Sequence, residues 1–347
     1  MIQLTQAHII GAIIAYLLGI FTVPLVIYFS RKAGLTDKPN ARKIHSEPIS
    51  RLGGVAIWLC VMLTFLFLVL LSYYPKGVGL SGIVVGGSLM FLLGLVDDVL
   101  TLGAKFKLVI QVAIATMVIL LGVRIDALYN PFGAEIQLGL VSSYILSLLW
   151  IVGVSNAINF IDGIDGLAGS VVAIACGAIG VISLVIIPSS PISALVAFIL
   201  MGAVFAFLTF NYSPAKIFMG DSGALFAGFM LATLSISGIM KAGSALMYLP
   251  LLILIVPILD VAYSIVRRTM KGSSPFVADS EHIHHKLLHS GHSQNHTVII
   301  LATVAMLAAI LAIIIAGSFS KYYMFAVVLV GILILLSVVS RLIKKNS

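Results

Sequence analysis

Residues 141–166 read VSSYILSLLWIVGVSNAINFIDGIDG, an apolar stretch that ends in asparagine and aspartate. Spanning a bilayer takes roughly 20 apolar residues as a helix, and this stretch is long enough. The polar side chains at its end cannot face lipid without a large free-energy cost, so they must face a cavity or a partner helix. The stretch therefore predicts a membrane-spanning helix with a polar site at one end.

The rest of the chain follows the same pattern. Hydrophobic residues make up 61% of its 347 residues and charged residues only 9%, whereas soluble proteins average about 25% charged residues. The mean hydropathy of +1.19 excludes a water-soluble domain and predicts an all-α integral membrane protein. Cys60 and Cys176 lie in apolar runs, so we expect no disulfide. Eleven runs predict a bundle of about 11 transmembrane helices: about 7–29, 53–73, 78–96, 106–122, 141–160, 167–187, 191–210, 222–240, 245–266, 297–316 and 322–340.

The loops between these runs differ strongly in charge. Sixteen of the 20 basic residues fall on one side of the membrane and four on the other, which does not resemble a nucleic-acid-binding face. The positive-inside rule puts the N-terminus outside and the C-terminus in the cytoplasm. Ten of the 12 acidic residues fall on that same cytoplasmic side. We expect one polytopic domain over residues 1–347, with cytoplasmic active-site loops at about 30–52, 97–106, 160–166, 211–222 and 267–296.

Two adjacent carboxylates, Asp97 and Asp98, end the third apolar run. They repel each other unless a cation or a basic group offsets their charge. Lys105 and Lys107 follow closely and could supply that charge. A helix cap that faces water is an equally good interpretation of the pair alone.

A polar stripe ends the fifth run. Asn156, Asn159, Asp162 and Asp165 recur every three residues, which puts them on one slowly turning face while the helix lasts. Gly163 would let a ligand or another backbone segment approach closely. Hydrogen bonding between helices is the simpler alternative, but two aspartates exceed what packing needs. We therefore interpret the stripe as part of a site.

Between the seventh and eighth runs, residues 211–223 read NYSPAKIFMGDSG. Asp221 is predicted to lie at the N-terminus of the next helix, where Asp-Ser can simply act as a cap. Alternatively, the Gly-Asp-Ser-Gly frame offers exposed backbone N–H groups beside a carboxylate, which suits a metal-bridged phosphate. Phe218 is an aromatic residue in a polar loop and is available to stack on a flat ring.

A histidine-rich segment follows the ninth run, where residues 279–289 read DSEHIHHKLLH. Neutral imidazoles could bind a transition metal and protonated ones could bind anions, while a solvated loop is the alternative. Across the four motifs carboxylate and amide oxygens dominate, which favours Mg²⁺ or Mn²⁺ over zinc. Mg²⁺ with nearby basic groups is the usual means of handling a diphosphate.

These motifs, in this order and on one side of the membrane, resemble those of the polyprenyl-phosphate N-acetylhexosamine-1-phosphate transferase superfamily. The likeness covers nearly the whole chain and is strongest to the bacterial undecaprenyl-phosphate N-acetylglucosamine-1-phosphate transferases, whose histidine segment is similar to residues 274–285. The peptidoglycan relative, phospho-MurNAc-pentapeptide translocase, has three consecutive histidines that this chain lacks, and it is the alternative. A cation-coupled transporter is less favoured, because the acidic residues do not gather near the bilayer midplane.

The resemblance implies transfer of GlcNAc-1-phosphate from UDP-GlcNAc to undecaprenyl phosphate at the cytoplasmic face of a bacterial inner membrane, with release of UMP. It implies Mg²⁺ as the cofactor, with Mn²⁺ as a substitute, and it leaves a homodimer possible. A helix bent at Pro250 and Pro257 would border the groove for the prenyl chain. The implied site residues are catalytic (Asp97, Asp98), metal-binding (Asp221, Asn159), nucleotide- or sugar-binding (Asn156, Asp162, Gly163, Asp165, Phe218) and phosphate- or substrate-binding (Lys105, His282, His284, His285, His45, Arg51).

Overall fold

The computed structural model describes residues 2–37, 48–71, 79–129, 135–186, 191–240, 245–270 and 282–317. Within these ranges the chain is mostly helical, as the apolar runs predict. The helices are α1 (Ile2–Lys32), α2 (Gly53–Leu70), α3 (Leu80–Leu100), α4 (Ala104–Leu120), α5 (Leu140–Ile161), α6 (Leu167–Val181), α7 (Pro191–Asn211), α8 (Gly220–Gly238), α9 (Leu249–Ile253), α10 (Ile255–Met270), α11 (Ile283–His289) and α12 (Gln294–Gly317). A π-helical turn, Ile182–Ile186, extends α6, and a 3₁₀ turn, Ala245–Tyr248, precedes α9.

Two short antiparallel ribbons accompany the helices in the described part of the chain. Strand β1 (Thr36–Asp37) pairs with β2 (Ile49–Ser50), and β3 (Ala127–Leu128) pairs with β4 (Ile136–Gln137). The first ribbon also contacts the loop before α8, because Ser50 in β2 forms a β-bridge with Ile217. The ribbons add to the predicted all-α bundle without changing its class.

Helix α8 forms the centre of the bundle. It packs against α2, α3, α5, α6 and α7, and every residue from Ser222 to Ile236 is buried. Small residues let the neighbouring backbones come close, as is usual between membrane helices. At Gly228, for example, a Cβ would lie 2.8 Å from the Cα of Ser155 on α5. The position of α8 is therefore fixed by helices on all sides.

Seven described helices are long and apolar enough to cross a membrane, and α9 with α10 would add an eighth as one bent span. This confirms a multi-pass membrane protein but not the predicted count of eleven spans. The run 106–122 forms α4, whose 17 residues are only about 26 Å long, and the run 222–240 forms the interior helix α8. The run 322–340 lies outside the described residues. The sidedness of the termini stays a prediction.

The predicted break near the two prolines is confirmed. Helices α9 and α10 meet at an angle of 72° across Leu254. Pro257 has no N–H group, so it cannot donate to the carbonyl of Ile253 four residues earlier, and the helical ladder is interrupted there. The bend turns α10 toward α5, with which it packs.

Candidate active site

The polar motifs meet at one end of the bundle. The end of α3, the segment after α5, the start of α8, the loop 211–219 and α11 surround a cavity of about 620 Å³. Small-molecule sites typically enclose roughly 300–1,000 Å³, so a nucleotide-sized ligand is within range. The lining residues are mostly polar or charged side chains and loop glycines: Asp37, Ile49, Arg51, Asp98, Asp162, Gly163, Ile164, Asp165, Asn211, Ser213, Pro214, Ala215, Phe218, Gly220, Asp221, His285 and Gln294.

Asp221 is at the centre of a charged network. Its Oδ2 accepts a hydrogen bond from Lys107 Nζ at 2.9 Å, and its Oδ1 accepts one from Asn159 Nδ2 at 3.1 Å. Lys107 also donates to Asp97 Oδ2 at 2.7 Å, while the backbone N–H of Leu102 donates to Asp97 Oδ1 at 2.6 Å. One ammonium group thus pairs with two carboxylates that come from α3 and α8.

Asp98 faces the start of α8. Its Oδ1 accepts the backbone N–H of Asp221 at 2.8 Å, and its Oδ2 accepts the N–H and the hydroxyl of Ser222 at 3.0 and 2.6 Å. The expectation that the Gly-Asp-Ser-Gly frame offers exposed N–H groups to a phosphate is therefore wrong for these two residues. The Asp98 carboxylate on α3 already accepts the backbone N–H groups of both Asp221 and Ser222.

The loop 211–219 is held from two directions. Asn211 Oδ1 accepts the N–H of Gly166 at 2.9 Å, and its Nδ2 donates to the carbonyl of Ile217 at 2.8 Å. The N–H of Phe218 donates to the carbonyl of Ser50 at 2.8 Å. These bonds fix the backbone of Phe218, whose half-buried side chain lines the cavity.

Asp162 and Asp165 bring further negative charge to the cavity wall. Asp165 Oδ2 accepts the N–H of Ala215 at 3.2 Å. Burial, followed by the negative charges of Asp221, Asp98 and Asp165, raises the pKa of Asp162 well above its usual range. So many carboxylates around one cavity create a negative potential that a bound cation would relieve.

Asp260 on α10 orders the histidine segment. His282 Nδ1 donates to Asp260 Oδ2 at 2.6 Å, and the N–H of Ile283 donates to Asp260 Oδ1 at 2.7 Å, so this carboxylate also caps α11. The His282 ring stacks on Phe160 and on His284, each with 5.7 Å between ring centroids. The histidines are thus packed against the end of α5 and are not a freely solvated loop.

His284 is buried without a hydrogen-bond partner. Its side chain is 1% exposed, and neither ring nitrogen is paired. A Cβ at Gly163 would overlap its Nε2, so the ring fills the space beside that glycine. Burial, followed by the positive charge of His285, lowers the pKa of His284 to about 4. His284 is therefore neutral at pH 7, and of the three predicted histidines in this segment only His285 lines the cavity.

We expect the folded protein to lose stability between about pH 6.5 and pH 4, in part through His284. Its pKa is about 4 in the fold and about 6.5 in an ordinary environment, so the unfolded chain binds the proton more readily. The stability that neutral His284 contributes is complete above about pH 6.5 and is lost as the pH falls toward 4. Thermal midpoints of the detergent-solubilised protein should decrease less in His284→Gln than in the wild type. An equal decrease in both would contradict this assignment.

Some predicted site residues do not reach the cavity. Asn156 Nδ2 donates to Gln111 Oε1 at 2.5 Å, so the amide faces α4 and does not line the cavity, and its contact with nucleotide or sugar stays a prediction. Each three-residue step turns a helical stripe by about 60°, which is why Asp162 faces the cavity and Asn156 does not. Lys105 is exposed and does not line the cavity. His45 lies outside the described residues.

Three residues of the site were missing from the predicted set. Lys107 bridges the two carboxylates, Asn211 holds the loop, and Asp37 forms an ion pair with Arg51 at the cavity wall. The sequence contained a weak signal for the first, namely two lysines after the aspartate pair. It did not reveal which of them points inward.

This geometry defines a class: a polytopic membrane protein with an acidic, cation-attracting cavity at one end of its helix bundle. Residues 80–239, from α3 through α8, match the family described as glycosyl transferase family 4. The chain belongs to that family. Its place in the polyprenyl-phosphate N-acetylhexosamine-1-phosphate transferase superfamily is also confirmed.

The relatives share most of their length with this chain. It is 33% identical over 317 residues (90% of this chain, 87% of the relative) to a probable undecaprenyl-phosphate N-acetylglucosaminyl 1-phosphate transferase of Bacillus subtilis. It is 32% identical over 323 residues (86% and 79%) to a decaprenyl-phosphate N-acetylglucosaminephosphotransferase of Mycolicibacterium smegmatis. It is 30% identical over 296 residues (82% and 78%) to the undecaprenyl-phosphate alpha-N-acetylglucosaminyl 1-phosphate transferase of Escherichia coli.

Proposed function

We propose that this protein transfers N-acetylglucosamine-1-phosphate from UDP-GlcNAc to undecaprenyl phosphate at the cytoplasmic face of a bacterial inner membrane, giving undecaprenyl-diphospho-GlcNAc and UMP. The observation that carries the proposal is the position of Asp221. It lies at the start of the central helix, in contact with Lys107 and Asn159, and lines the same cavity as Asp162 and Phe218. The names of the relatives support GlcNAc-1-phosphate over a MurNAc-peptide donor.

The residues present fit a magnesium ion that is shared with the substrate. Within the described ranges, no three His, Cys, Asp or Glu side chains are arranged to hold an ion by themselves. Mg²⁺ commonly uses one or two carboxylates, waters and substrate phosphates, so a full protein cage is not needed. Asp221, with Asn159 beside it, would hold the ion, and the negative potential at Asp162 would favour it. When bound, the ion would neutralise charge on the diphosphate of the donor.

The reaction itself needs alignment more than proton removal. A phosphate monoester has a second pKa of about 6, so the lipid phosphate is largely ionised at pH 7. One of its oxygens would attack the β-phosphorus of UDP-GlcNAc, and the bond from that phosphorus to the bridging oxygen would break to release UMP. Lys107 would hold Asp97 and Asp221 in place and neutralise part of the negative charge of these two carboxylates. Arg51 and His285 line the cavity and would contact phosphate or sugar.

We expect Phe218→Ala to weaken nucleotide binding. If the half-buried ring stacks on uracil, its loss should cost roughly 1–3 kcal/mol, or about 5- to 150-fold in the Kd for UMP. Phe218→Tyr keeps the ring and should stay within about threefold of the wild type. Titration calorimetry with UMP and Mg²⁺ measures both variants. Equal affinities for the alanine variant and the wild type would contradict stacking at this position.

The proposal is tested by release of UMP from membranes that contain this protein. UMP should appear only when UDP-GlcNAc, undecaprenyl phosphate and Mg²⁺ are all supplied, and chelation of the metal should stop it. UDP-MurNAc-pentapeptide and UDP-GalNAc, tested side by side, define the donor. Acceptance of the MurNAc-peptide donor alone would move the protein to the peptidoglycan branch, and a decaprenyl acceptor tests the chain length.

A further inference from the structure

We infer that Asp98 is a positioning residue that fixes Asp221, and that it does not serve as the base that takes a proton from the lipid phosphate. The inference rests on the proposed function and assigns a role within the same site. It begins from how the two Asp98 oxygens are used. Oδ1 accepts one hydrogen bond and Oδ2 accepts two, all from the first residues of α8.

Helix α8 has no side-chain cap of its own. The residue before its first turn is Met219, which makes no side-chain cap bond, and the first N–H groups of a helix have no partners within it. Asp98 on α3 supplies the missing acceptors, and its negative charge is favourable at the positive end of the helix. It acts as a cap supplied by another helix, and one of the N–H groups that it accepts is the backbone N–H of Asp221.

Glycines bring the two helices into close contact at this point. A Cβ at Gly94 on α3 would overlap the carbonyl of Asp221. Gly220 has a φ of +71°, and a Cβ there would overlap the carbonyl of Arg51 and lie 2.7 Å from Asp98 Oδ2. With no side chain between the backbones, a change at Asp98 must be transmitted directly to Asp221.

The other aspartate of the pair has different partners. Asp97 reaches Lys107 and through it the Oδ2 of Asp221, whereas Asp98 contacts the backbone at Asp221 and both the backbone and the hydroxyl of Ser222. Loss of a base would slow the reaction and leave ligand binding intact. Loss of a positioning residue would displace Asp221 and weaken the binding of the metal and the nucleotide together.

The experiment measures binding of UMP in the presence of Mg²⁺, thermal midpoint and turnover for Asp98→Asn and Ser222→Ala. In Asp98→Asn an amide N–H₂ replaces an acceptor, so the Kd for UMP should rise roughly 10- to 100-fold. Ser222→Ala removes one of the three donors and leaves every reacting group in place, so its Kd should rise by about 3- to 10-fold. Ser235→Ala removes a hydroxyl from α8 near its other end, where it accepts from Trp150, and should leave the Kd unchanged.

The outcomes separate the two roles. The inference is supported if Asp98→Asn loses more affinity for UMP than Ser222→Ala and both lose more than Ser235→Ala. The residual activity of Ser222→Ala should also keep the wild-type pH profile. If Asp98→Asn binds UMP and Mg²⁺ like the wild type, and its activity is lost but rises steadily with pH, Asp98 is a base and the inference is overturned. If Asp98→Asn does not fold, Ser222→Ala decides, and an unchanged Kd in that variant overturns the inference. Failure of the wild type to bind UMP with Mg²⁺ would instead contradict the proposed function, and the inference with it.

Discussion

Asp221→Asn should reduce UMP release from UDP-GlcNAc by roughly a thousandfold or more, while the folded protein remains in the membrane. The substitution removes the negative charge that pairs with Lys107 and that would hold the metal, but it keeps the size of the side chain. The Asp221 backbone bond to Asp98 is unaffected, so the start of α8 should stay in place. Turnover is measured in detergent at saturating substrate and Mg²⁺, with the thermal midpoint recorded in parallel.

Asp126→Asn is the matched control for that experiment. Asp126 is an exposed carboxylate that pairs with Arg124 at 2.6 Å and does not line the cavity. Exposed ion pairs contribute little, about 0–1 kcal/mol, so this variant should keep wild-type turnover. Wild-type rates in Asp221→Asn would rule out the metal assignment, and equal losses in both variants would show that the effect is not specific to the site.

Lys107→Ala should lower turnover by roughly 100-fold, whereas Lys105→Ala should stay within about twofold of the wild type. Lys107 is the ammonium group shared by Asp97 and Asp221, and without it two neighbouring carboxylates repel each other. Lys105 is two residues away, has the same chemistry and is exposed. The two variants therefore differ only in which lysine reaches the site.

Lys107→Arg should recover part of the activity, because it restores the charge with a different shape. Turnover and the Mg²⁺ concentration needed for half-maximal rate are the quantities to measure for all three variants. A large loss in Lys105→Ala with normal activity in Lys107→Ala would support the sequence-based assignment of Lys105. It would also contradict a functional role for the ion pairs that Lys107 makes with Asp97 and Asp221.

The class of the protein could be predicted from sequence because it depends on composition and length. Bilayer thickness fixes how many apolar residues a span needs, and the break near Pro257 follows from a missing N–H group. The count of eleven spans stays a prediction, because the described residues hold seven helices long and apolar enough to cross, or eight with the bent pair, and the run 322–340 lies outside them. Helix α8 is apolar because it is buried among other helices, and hydropathy does not distinguish burial in protein from exposure to lipid.

The site was predictable at the level of motifs and less so at the level of contacts. Asp162, Asp165, Phe218 and Asp221 line one cavity, as their motifs suggested. Asn156 does not line this cavity, because a three-residue repeat drifts around a helix, and here it drifts far enough to face Gln111. The roles of Lys107 and Asp98 could not be predicted from local motifs, because they depend on α3 and α4 lying next to the start of α8.

That dependence has a physical basis. A hydrogen bond between α3 and α8 joins residues more than 120 positions apart, as the bonds from Asp98 to Asp221 and Ser222 do. No local pattern encodes such a pairing. Glycines such as Gly94 indicate close approach, but only the structure identifies the backbone that approaches.

The most direct test of the central claim follows the donor's phosphate. The purified protein is given Mg²⁺, undecaprenyl phosphate and UDP-GlcNAc that carries a radioactive label only in the phosphate next to the sugar. If GlcNAc-1-phosphate is transferred, the label moves into the lipid fraction and unlabelled UMP is released in equal amount. If the label stays in solution as UDP, the enzyme transfers only the sugar, and transfer of the sugar phosphate is contradicted.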